Sequence, residues 1–82
     1  MSKEPYSVVF TNRTKLLTTF RDMKFSQEAI HNVMLSFGPL SGHEEKEMVA
    51  GKAIPLVQQC KDEKEAVAVV QKVVDETLAS RQ

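Results

Sequence analysis

Three helix-start signals fall where the apolar pattern of the chain changes phase, and this coincidence restricts the fold more than any other feature of the sequence. Ser26 precedes Ile30, Val33, Met34 and Phe37, an apolar set at helical spacing. Glu28 in the first turn suits the positive end of the helix dipole, and Phe25 and Ile30 stand where a hydrophobic staple would hold the chain entry. Ser41-Gly42-His43-Glu44 has the S-x-x-E form of a capping box and opens a second set, Val49, Ala53, Leu56, Val57 and Cys60. Asp62, with Glu65 three residues on, opens a third: Val67, Val70, Val74 and Leu78, with Ala66, Val73 and Thr77 beside them. Between the first two sets Gly38-Pro39 is a stop, which predicts a left-handed cap at Gly38 and no continuation through Pro39.

A fourth set precedes these. Leu16, Leu17, Phe20 and Met23 predict a helix over residues 12–22 with Thr11 or Asn12 as its N-cap, although threonines 11, 14, 18 and 19 weaken it. Tyr6 to Phe10, YSVVF, is β-branched and aromatic and reads either as a short extended segment or as the first turn of that helix. Pro55 interrupts the apolar set of the third helix without shifting its phase, which leaves one kinked helix or two short ones. The expected fold is therefore all-α: a single-core bundle of about four short helices over residues 12–82, behind an N-terminal arm of residues 1–11. With 82 residues the chain is one domain, and its core must be thin.

Charge argues against the commonest use of a helix-turn-helix outline. Lysine plus arginine and aspartate plus glutamate both number 11, so there is no global attraction to phosphate. In the outline Leu35 to Gly51, the second helix would open with Glu44, Glu45 and Glu47 against Lys46 alone. Carboxylates there suit the helix dipole but oppose a phosphate backbone, and bases are read mainly by other side chains. The turn reads as a corner between packed helices. Arg13, Lys15, Arg21 and Lys24, in a segment whose only acid is Asp22, leave a small nucleic-acid-binding regulator as the alternative reading.

Enzymatic chemistry finds little to stand on. Cys60 is the only cysteine, so neither an internal disulfide nor a multi-cysteine zinc site can form. His31 and His43 lack a histidine partner at helical spacing, although His31 follows Glu28 on one face. Cys60 continues an apolar stripe, where a thiol packs as a small hydrophobe and is poorly placed as a nucleophile. No phosphate-cradling loop, H-E-x-x-H or G-x-S-x-G is present. No catalytic residue, metal or cofactor is expected. No stretch approaches a membrane span, and MSKEPYSVV lacks the apolar run of a signal peptide, so the expected address is the cytoplasm.

These readings converge on a non-enzymatic regulator of the inhibitor or adaptor type that binds another protein, with self-association into a homo-oligomer. The valine-rich last helix is the expected contact face, through Val70, Val74 and Leu78, with His43, Glu44 and Glu47 as a polar rim. In scale the chain is similar to the stand-alone regulators of phages and mobile elements, such as antiholins, anti-repressors and inhibitors of host defence. No motif stands behind that likeness.

Overall fold

The computed structural model describes residues 11–80, which form four α-helices: α1 Thr11–Asp22, α2 Gln27–Ser36, α3 Gly42–Gln58 and α4 Glu63–Ser80. The all-α bundle expected from the sequence is the architecture observed. The expected extended segment Tyr6–Phe10 and the arm that contains it lie outside the described residues up to Phe10. Helix α3 is central and packs against α1 on one side and α4 on the other, while α4 also packs against α2.

Small residues on α3 and α4 bring these helices close. Ala50, Ala53 and Ala66 are fully buried, and a β-carbon added at Gly51 would stand 3.0 Å from the Asn12 side chain of α1. The core is correspondingly built from modest volumes: Leu16 and Phe20 of α1, Val33 of α2, Val49 and Val57 of α3, and Val70 and Val74 of α4 are all essentially inaccessible. Burying each of these valines and leucines stabilises the fold by about 1.5–3 kcal/mol.

The helix ends follow the sequence signals with three changes, the first of which is that α1 begins at Thr11, so Thr11 and Asn12, expected as its N-cap, both lie inside the helix. Ser26 caps α2 by accepting from the Ala29 N–H at 3.2 Å. Its own N–H and hydroxyl donate, each at 2.9 Å, to the two carboxylate oxygens of Glu63, which ties the start of α2 to the start of α4. Asp62 accepts from the Glu65 N–H at 2.8 Å, and the Glu65 carboxylate reaches back to the Lys61 N–H at 2.9 Å. At α3 the reciprocal contact comes from Glu45 rather than Glu44: its carboxylate accepts from the Ser41 N–H at 2.7 Å. Gly42 enters α3 with φ of 75°, a conformation only glycine adopts without strain, and this left-handed entry displaces the capping carboxylate by one residue. Gly38 does not adopt the expected left-handed cap. Helix α2 ends instead through Phe37 in the right-handed region, and successive i→i−3 bonds from Phe37, Gly38 and Leu40 carry the chain round the corner. Pro55 leaves α3 as one helix rather than two.

The left-handed position absent at Gly38 occurs after α1, at Lys24, with φ of 65°. The Phe25 N–H donates to the Phe20 carbonyl and the Lys24 N–H to the Arg21 carbonyl, both at 3.0 Å. This is a Schellman motif, and its hydrophobic partners meet as expected: the Phe20 and Phe25 rings pack edge to face at 5.3 Å. A side chain in this conformation costs about 1–2 kcal/mol. Lys24→Gly relieves that strain and loses part of the gain to greater freedom of the unfolded chain. A net stabilisation of about 0.5–1 kcal/mol is expected in urea unfolding.

Candidate functional site

A polar cluster joins the start of α1 to the first turns of α3. Glu47, the sixth residue of α3, directs its carboxylate at the first turn of α1. One oxygen accepts from the Asn12 N–H at 2.8 Å; the other accepts from Arg13 Nε at 2.8 Å and, more weakly, from the Arg13 N–H at 3.4 Å. The Asn12 side-chain amide donates to the Glu47 carbonyl at 2.9 Å. The Arg13 guanidinium then extends past Glu47 so that Nη2 lies 2.7 Å from His43 Nδ1. A guanidinium only donates, so in this contact Nδ1 of His43 is the acceptor.

Burial pushes the Glu47 carboxyl up, but the Asn12 N–H, the Arg13 side chain and the Arg13 N–H together outweigh it and hold the carboxyl below its ordinary range. A carboxylate on the backbone N–H groups of a helix start also meets the positive end of that helix. Glu47 thus acts as a tertiary cap for α1.

This geometry revises the expected sites. Val70 and Val74, expected on a contact face, are fully buried among the other helices and present nothing to a partner; the α4 stripe is core. Leu78 is half-buried and packs on the edge of that core. Glu47 is an internal cap rather than a rim residue, whereas His43 and Glu44 are exposed. The basic set does not form one patch. Arg13 is occupied by Glu47 and His43, and Lys15 lies about 200° round α1 from Arg13 at 100° per residue. Arg21 and Lys24 are exposed at the far end of the helix, and the backbone of Lys24 serves the Schellman turn.

Cys60 packs as a core residue, its thiol directed at the Leu56 carbonyl at 3.2 Å. Burial raises its pKa, and the nearby charges of Glu65 and Asp62 add to the rise. The thiol is protonated at neutral pH, and no cluster of three metal-ligating side chains occurs among the described residues. Modification of Cys60 by a thiol-specific disulfide reagent at pH 7.5 should therefore be about tenfold or more slower in the native protein than in the unfolded chain.

The two most exposed large apolar side chains among the described residues lie on α2, beside a cleft that it forms with α1 and α3. Leu16 and Leu17 of α1, Val33 and Met34 of α2 and Phe37 just past its end line an open cleft of about 220 Å³, with Arg13 and Lys46 at its edges. Met34 is 58% exposed and Leu35, beside it on α2, 61%. Met34 was expected in the core with Val33 and Phe37, but the inward face of α2 is Ala29, Ile30, Val33 and Ser36, continued by Phe37. The signal was present: residues 33, 34 and 35 are all apolar, and at about 100° per residue three consecutive side chains cannot all face one narrow core.

No helix among the described residues is long and apolar enough to cross a membrane. No family model, no curated protein and no solved structure matches this chain.

Proposed function

We propose that this chain is a non-enzymatic regulatory protein of the inhibitor or adaptor type, which binds another protein through the cleft between α1, α2 and α3. The observation that carries this reading is the exposure of Met34 at the lip of an apolar cleft, with Leu35 exposed beside it on α2, in a bundle whose other large side chains are mostly covered. A volume of about 220 Å³ is smaller than the ~300–1,000 Å³ of ordinary small-molecule sites. It suits one or two apolar side chains projecting from a partner's helix or loop. Methionine at the lip adapts to such a guest, because its unbranched chain changes shape at little cost. His43, exposed and in contact with the Arg13 guanidinium at the cleft edge, supplies a polar rim, with the exposed Glu44 next to it in the chain.

A tagged pull-down from the native host, with and without nuclease, tests the reading when wild type is compared with Met34→Glu. The variant changes an exposed position and should keep its helical circular dichroism. The expected result is one protein retained by wild type after nuclease treatment and lost from Met34→Glu. Equal retention by the variant removes the cleft from the account, and capture that disappears with nuclease returns the weight to nucleic acid.

A further inference from the structure

On the far side of α3 a second groove runs between α3 and α4. About 200° round the helix from Lys46, the α3 wall carries Met48, Lys52 and Leu56, one turn apart. The α4 wall carries Val73, Glu76 and Ser80, with Thr77 in the floor. Met48 is 46% and Leu56 42% exposed, while Val73 on the opposite wall and Thr77 in the floor are buried. Each wall is apolar or small at its ends and has one charge in the middle, positive on α3 and negative on α4. Neither Lys52 nor Glu76 has an ion-pair partner among the described residues, although they line the same groove.

We propose that this groove is a self-complementary interface that takes a second copy of the chain about a two-fold axis parallel to the groove. Such an axis lays each α3 wall against the partner's α4 wall, so that Lys52 meets the partner's Glu76 and the same pair forms a second time by symmetry. A two-fold axis across the groove would instead set Lys52 against its own copy and Glu76 against its own copy, which like-charge repulsion disfavours. The charges therefore select one arrangement of the two.

The floor is ready to be covered. The Thr77 hydroxyl donates to the Val73 carbonyl at 2.9 Å and the Ser80 hydroxyl to the Thr77 carbonyl at 2.8 Å, so closing the groove leaves neither proton without an acceptor. Equal numbers of acidic and basic residues remove the net repulsion that keeps many small domains apart. The groove is separate from the partner cleft, so a dimer built through it presents two clefts outward.

Charge reversal tests the assignment on the full chain, with mass followed by sedimentation equilibrium over a dilution series and folding by circular dichroism. Wild type should dimerise. Lys52→Glu alone and Glu76→Lys alone should each weaken dimerisation by about a hundredfold, since each puts like charges together twice. An equimolar mixture of the two variants should dimerise again, and so should the double variant K52E/E76K. A wild type that stays at the mass of one chain throughout overturns the proposal. So does a dimer unaffected by either reversal, or one that neither the mixture nor the double variant restores. Partner capture through Met34 is read separately in the pull-down, so failure of one leaves the other standing.

Discussion

Val74→Glu is expected to unfold the protein. Val74 is fully buried on α4, in a core where most neighbours are valines and alanines. No basic group is buried beside it, so a carboxylate placed there either ionises without a partner or stays neutral at the expense of its pKa. It also overfills a well-packed site. Together these cost about 4 kcal/mol or more. A domain of this size has a total stability of roughly 4–12 kcal/mol, with small domains towards the low end. The expected readout is loss of most helical circular dichroism at 25 °C and a chain open to proteolysis. A variant that stayed fully helical and lost only association would show that the α4 stripe faces outward, against the packing described above.

Glu47→Ala is expected to cost about 2–3 kcal/mol and to loosen α1 from the bundle. The change removes the acceptor for the Asn12 and Arg13 N–H groups and for Arg13 Nε at once, and leaves the guanidinium with His43 alone. Glu47 is only 14% exposed at its side chain, so water replaces the carboxylate poorly. Leu16 and Phe20 rely on the α1–α3 contact for their burial, so loosening α1 should open part of the core. In hydrogen exchange the amides of residues 12–20 should lose protection more than those of α4.

The same contact sets a pH dependence. The folded-state carboxyl of Glu47 is held below the ordinary glutamate value of about 4.3. A group depressed on folding contributes stability above its unfolded value and loses it as pH falls through the folded one. Wild type should therefore lose this contribution on acidification below about pH 4.3, whereas Glu47→Ala should show a shallower fall over that range. Parallel pH profiles for the two proteins would mean that the fold does not favour the ionised carboxyl of Glu47 over the protonated one.

Local structure was more legible in the sequence than tertiary structure. Ser26 and Asp62 cap the helices they were expected to cap, because a cap is set by neighbours three residues away. The box at Ser41 moved to Glu45 because Gly42 takes a backbone conformation that the S-x-x-E pattern does not encode. Faces were harder. Leu56, expected in the stripe of α3, is 42% exposed, while Ala50 beside Val49 is buried. A helix packed on both sides, as α3 is by α1 and α4, does not have the single stripe that periodicity assumes.

The candidate sites suffered most from this. The two expected surfaces, a basic one on α1 and an acidic one on α3, share a junction in which Arg13 and Glu47 neutralise each other across a sequence gap of 34 residues. Spacing along the chain carries no signal for such a pair. The valines of α4 were read as surplus apolar surface, but small side chains on α3 bring its backbone close enough to cover Val70 and Val74 completely.

The measurement closest to the central claim is site-specific photocrosslinking in the native host, with a photoreactive residue placed at Leu35 beside the cleft or at Ala68 on the exposed side of α4. The expected result is one discrete adduct of a second protein from position 35 and none from position 68. No adduct from position 35, or the same adduct at equal yield from both positions, would contradict docking at the α2 cleft.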